Sequence, residues 1–149
     1  MPRVTLSCME VTELLLAGVP VGNLRVPLAE FGAVWADAEQ LNSAQAGRAD
    51  PDWFPAGVAV TCRWLAGAVV EDRMGRRSPA PSPATRRQVR AIEELIEAEY
   101  LAAEQLDVRR PDLVEHQPGW CEGIRATLRW AWRREGPRPL GNNRAVAAG

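Results

Sequence analysis

Apolar residues recur at three- and four-residue intervals along most of this 149-residue chain, and that periodicity predicts helices. Ser7 followed by Glu10 forms a capping box, with Val11, Leu14 and Leu15 at helical spacing and Gly18 as the stop, so a short first helix is expected. The stretch "VPVGNLRVPL" clusters Pro, Gly and Asn and reads as extended or turning, with room for one short strand. Pro27 suits the first turn of a helix reaching Asn42, with Leu28, Phe31, Val34, Trp35, Ala38 and Leu41 on one face. A polar loop follows. Pro55 then opens a helix to about Asp72, with Val58, Cys62, Leu65 and Val69 as its stripe.

The middle of the chain, "GRRSPAPSPAT", has prolines at alternate positions and cannot be regular helix, so it is expected to be a linker. Thr85 and Gln88 form a second capping box before a helix to Asp107, whose Val89, Ile92, Ile96, Tyr100, Ala103 and Leu106 share a face. The segment from Asp107 to Pro118 reads as loop, with at most a helical turn begun at Asp112. A last helix from Pro118 to Glu135 is ended by Gly136 and Pro137, and the tail is too poor in apolar residues to dock.

Two blocks of this pattern match each other. "WADAEQLN" (35–42) aligns with "YLAAEQLD" (100–107) at an offset of 65, and "GVAVTCRWL" (57–65) aligns with "GIRATLRWA" (123–131) at an offset of 66. The matched positions include Glu39/Glu104, Gly57/Gly123, Thr61/Thr127, Arg63/Arg129 and Trp64/Trp130. A helical hairpin used twice accounts for the order, spacing and loop length together. Each copy has one apolar stripe that it cannot bury alone, so the expected fold is all-α: a duplicated hairpin packed as a pseudo-two-fold four-helix bundle. One domain is expected, with an N-terminal helix and extended segment (1–26), hairpins at 27–74 and 86–136, the linker at 75–85 and a disordered tail at 137–149. The glycine and threonine of each copy lie one turn apart and give a strip on which another helix can approach closely. Arg63 and Arg129 need carboxylate partners if buried, and Glu39 and Glu104 are the matching candidates.

Composition is that of an ordinary globular domain, 46% hydrophobic and 25% charged with a net charge of −1. Local charge differs from the average. Residues 93–107 hold six acids and no base, whereas from Gly123 onward there are six arginines and one acid. Every basic residue is arginine, which points to a GC-rich, bacterial-like genome and leaves no lysine to modify. Three scattered cysteines suit a reducing cytoplasm. Glu10 and Glu13 interrupt the N-terminal apolar residues, so they do not form a signal peptide, and Arg63 sits within the longest apolar stretch, which reads as a core helix and not a membrane span.

Few residues suggest chemistry. His116 and Cys121 are the sole His–Cys neighbourhood, and their spacing across a Pro-Gly turn reads as a solvent-facing histidine beside a structural cysteine. No zinc-ligand spacing, carboxylate di-iron motif, phosphate loop or nucleophile elbow is present, so no catalytic residue, metal or cofactor is assigned. The strongest lead is the arginine and tryptophan face of the last helix: Arg125, Arg129, Trp132, Arg133 and Arg134. Both residue types anchor protein interfaces, and they equally suit phosphate contact and base stacking, while internal pairing to the acidic helix at 93–107 would neutralise part of the charge. Trp53 and Trp120, each just ahead of a second hairpin helix, are expected to be exposed near the loops. The reading is a non-enzymatic helical adaptor binding another protein, compatible with homo-oligomerisation. The alternative is nucleic-acid binding or regulation through the C-terminal arginines, and an enzyme or small-ligand binder ranks third.

Overall fold

The computed structural model describes residues 9–141, which are mostly helical. The order is α1 (Glu13–Ala17), a 3-10 turn (Val21–Asn23), α2 (Leu28–Ala44), α3 (Phe54–Ala66), β1 (Val69–Glu71), β2 (Arg77–Pro79), α4 (Glu93–Glu104), α5 (Leu106–Arg109), α6 (Pro111–His116) and α7 (Trp120–Ala131).

The core is built around α3, whose residues from Pro55 to Ala66 are all buried. Its near-continuous apolar run has no polar face to turn outward, so it must be covered on every side. α7 supplies the largest part of that cover, α2 packs on another side of α3, and α4 lies against α7. α3 and α7 meet at Gly57 and Gly123. A Cβ on Gly57 would overlap the Trp120 carbonyl oxygen and sit 3.2 Å from the Gly123 Cα, while one on Gly123 would overlap the Phe54 carbonyl oxygen. One turn on, the Thr61 and Thr127 hydroxyls each donate to the carbonyl four residues back, Gly57 and Gly123, at 2.8 Å. Both are thereby satisfied inside the core.

Several boundaries differ from those expected. Ser7 lies outside the described residues; α1 is instead capped by Thr12, whose Oγ1 accepts from the Leu15 N–H at 3.2 Å. A 3-10 turn, and not a strand, follows it. The helix expected to reach Asp72 stops at Ala66 because Gly67 takes a left-handed conformation (φ 70°) and caps it. Val69 keeps the helical spacing from Leu65, but it belongs to an antiparallel hairpin with Val69 opposite Pro79 and Glu71 opposite Arg77. Asp72 forms the turn, its Oδ1 accepting from the Met74 and Arg76 N–H groups at 2.9 Å.

The proline-rich segment expected as a linker therefore supplies β2, and beyond it the chain remains tied to the core. Glu99, itself buried, accepts from the Ala84 N–H at 2.5 Å, the Thr85 N–H at 2.7 Å and the Thr85 hydroxyl at 2.8 Å. This spends the Thr85 side chain on Glu99 rather than on a cap, and Arg86 is left-handed (φ 58°), so α4 begins seven residues later than expected, at Glu93. The Asp107 to Pro118 segment holds two short helices, α5 and α6. α7 ends at Ala131, before the left-handed Arg134 and Gly136. Residues 137–141 are not loose: Leu140 packs on the core and Arg138 reaches Glu30 on α2 at 3.9 Å. The rest of the expected disordered tail lies outside the described residues.

Candidate interaction surface

Both anticipated Arg–Glu pairs form, with the same bidentate geometry. Arg63 donates from Nε to Glu39 Oε2 at 2.7 Å and from Nη2 to Oε1 at 2.6 Å. Arg129 donates from Nε to Glu104 Oε2 at 2.8 Å and from Nη2 to Oε1 at 2.6 Å. The fork of a guanidinium fits a carboxylate in this way at close to ideal hydrogen-bond lengths. Aromatic residues also correspond in position: Trp35 and Tyr100 stand four residues before Glu39 and Glu104, and the Trp35 indole N–H donates to Glu39 at 3.0 Å. Their surroundings differ. The side chains of Arg63 and Glu39 are 7% and 2% exposed, those of Arg129 and Glu104 46% and 24%. The N-terminal segment seals the first pair, with the Met9 N–H donating to Glu39 Oε1 at 2.9 Å and Leu16 seated on Gly32.

The arginine and tryptophan face of α7 is turned largely inward onto the acidic helix. Arg125 lies 3.5 Å from Asp107 and Arg133 is 2.9 Å from Glu97 while covering the Tyr100 ring at 4.8 Å. Trp132 is buried; its indole N–H donates to Glu97 at 2.8 Å and the Arg25 guanidinium stacks on it at 4.1 Å. Bonds from Trp132 and Arg133 hold the Glu97 carboxyl below the usual range, and Arg129 does the same for Glu104. Of the group singled out on this helix, only Arg134 is exposed without an ion pair among the described residues.

Trp53 and Trp120 were expected outside near the loops. Trp120 is buried, and the two rings pack edge to face with centroids 6.2 Å apart. Trp64 and Trp130 are both in the core, and the Trp64 indole donates to the Val89 carbonyl at 2.8 Å. Burial pushes the Cys121 thiol up, and the Cys62 thiol well up, which opposes thiolate formation at both. His116 is exposed, with Nδ1 2.9 Å from the Asp112 carbonyl oxygen. Among the described residues, no three His, Cys, Asp or Glu side chains are grouped to hold a metal, and no helix is long and apolar enough to cross a membrane.

Two polar anchors escaped the sequence reading. Asn23 is buried and donates to both the Leu65 and Ala91 carbonyls, at 2.8 and 3.0 Å, fastening the 3-10 turn to the end of α3. Glu99 sits three residues after Ile96 and four before Ala103, so its place on the buried stripe was visible in the spacing. A third feature is electrostatic. Between Val69 and Arg90 stand six arginines and two acids, and Arg73, Arg77, Arg87 and Arg90 are exposed and make no ion pair among the described residues. Exposed arginines without an ion pair among the described residues thus cluster on the hairpin and the loop after it, with Arg48, Arg109 and Arg134 as isolated others. No family model matches the chain, and neither the curated proteins nor the solved structures include a significant match to it.

Proposed function

We propose that this chain is a non-enzymatic protein-interaction module built on a duplicated helical hairpin, α2–α3 and α4–α7, packed about a pseudo-two-fold axis. The duplication is supported by the recurrence of one arrangement at the sequence offsets of 65 and 66: a bidentate Arg–Glu pair, an aromatic four residues before the same glutamate, and a glycine at the crossing with a threonine one turn on. These polar groups hold helices together, and Glu99 ties the loop at Ala84–Thr85 to α4.

The observation that carries the interaction reading is the hairpin inserted between the halves. It is exposed along nearly its whole length, with Val69 40% and Met74 78% exposed. Two strands of three residues are too few to be stable alone, so the element rests on its helical base and offers its outer side to a partner. Nucleic-acid binding through the C-terminal helix has less support, since Arg125, Arg129 and Arg133 already meet carboxylates. The test is capture from native lysate by the immobilised full chain, with and without nuclease. A protein partner retained after nuclease is the expected result, and loss of all capture on nuclease treatment would move the nucleic-acid reading ahead.

A further inference from the structure

The hairpin has two unequal edges. The Ala80 N–H donates to the Ala68 carbonyl and the Asp72 N–H to the Arg76 carbonyl, both at 2.9 Å. Antiparallel pairing alternates, so Val70 and Ser78 form the hydrogen-bonded pair between these, while Val69 and Glu71 point their N–H and C=O groups away from β2. Both residues are exposed, and neither backbone N–H has a partner among the described residues. β2 is different: of its two outward positions, Arg77 and Pro79, only Arg77 has an N–H to offer. The β1 edge is therefore open at both outward positions, whereas proline interrupts the β2 edge at one of its two.

The open edge lies within the uncompensated arginine segment. Asp72 is occupied by the turn and by Arg76 at 3.8 Å, leaving Glu71 as the remaining acid among six arginines between Val69 and Arg90. Guanidiniums favour carboxylates, which they grip through paired N–H groups. We infer that the outer edge of β1 docks an extended, acidic segment of a partner protein, added as a third strand with its carboxylates meeting Arg73 and Arg77. The main chain of the incoming segment would supply the register and its alternating acidic side chains the selectivity. This inference rests on the interaction-module reading and names the partner chemistry.

The test is fluorescence anisotropy of the full chain with a labelled peptide of about eight residues alternating Glu and Val. Glu71→Pro removes one outward N–H and leaves the bonds to β2 in place; it also removes a negative charge, so attraction by charge alone would tighten binding. The expected result is binding of the peptide, weakened by about tenfold or more in Glu71→Pro and by a similar factor in the exposed Arg73→Glu/Arg77→Glu variant, with binding falling as salt rises. Arg134→Glu is expected to have no effect. Absence of binding at millimolar protein would overturn the inference, as would wild-type affinity in Glu71→Pro. Sedimentation showing a dimer lost in Glu71→Pro would overturn it by assigning the edge to a second copy, and displacement of the peptide by a random oligonucleotide equally well from wild type and Glu71→Pro would assign the arginines to nucleic acid. A partner captured from nuclease-treated lysate that still binds both variants would sink the inference while leaving the interaction-module reading intact.

Discussion

The Glu39–Arg63 and Glu104–Arg129 pairs have the same bond lengths within 0.1 Å, yet one is sealed in the core and the other meets solvent. The difference comes from what lies above them. Over the first, Gly32 leaves space for Leu16, and the chain from Met9 to Val19 closes the site. In the second half the matching position is Glu97, which faces the end of α7 and bonds Trp132 and Arg133. One geometry is thereby placed in two dielectric settings, and the energetic weight of a pair depends on its setting more than on its bond lengths.

Removing one partner should separate the two sites most strongly. Glu39→Ala leaves Arg63 buried and unpaired and should destabilise the fold by about 3–5 kcal/mol, whereas Glu104→Ala, with Arg129 half in water, should change stability by about 1 kcal/mol or less; urea unfolding of both variants measures the gap. Comparable losses would mean that exposure does not govern these pairs. The glycine crossing should behave in the opposite, symmetric manner. Gly57→Ala and Gly123→Ala each force the same two helices apart and should cost about 1–3 kcal/mol, with the double variant costing less than the sum because the second Cβ enters a gap already opened.

Acid sharpens the comparison from the second half. Glu104 and Glu97 titrate below their unfolded values in the folded chain, so their stabilisation is complete above the unfolded carboxyl pKa of about 4.3 and is lost as pH falls through the lower folded values. Glu104→Gln should therefore flatten the decline of thermal midpoint on the acid side, with little change in that slope at neutral pH. The smallest effect is expected at Asn42, which corresponds to Asp107. Asp107 meets Arg125, but the position matching Arg125 in the first half is Ala59, and the buried Asn42 Nδ2 has no hydrogen-bond partner among the described residues. Asn42→Leu should be neutral or stabilising by up to about 1 kcal/mol, read as a shift in denaturation midpoint.

Helical periodicity made α2, α3, α4 and α7 legible, and the paired motifs made the Arg–Glu contacts legible, because both depend on local spacing. The hairpin was hidden for a physical reason. Val69 preserves the apolar rhythm of α3, and only the left-handed Gly67 breaks it, a choice that Gly allows but does not announce. The start of α4 was misplaced because Thr85 satisfied a local capping rule while its hydroxyl was claimed by Glu99, fourteen residues away. The C-terminal arginines stand out by their density, but whether a charge is spare depends on its neighbours across space: α4 answers Arg129 and Arg133, Asp107 on α5 answers Arg125, and Glu30 on α2 answers Arg138.

The meeting of α3 and α7 has one more consequence. The covalent route between the two halves runs through the exposed turn at Arg73–Gly75, while the surface joining them is a core seam closed at Gly57 and Gly123. A cut in that turn would sever the polypeptide without touching the seam. The resulting fragments should remain together as a non-covalent heterodimer, so that one chain behaves as two subunits that happen to be translated in tandem.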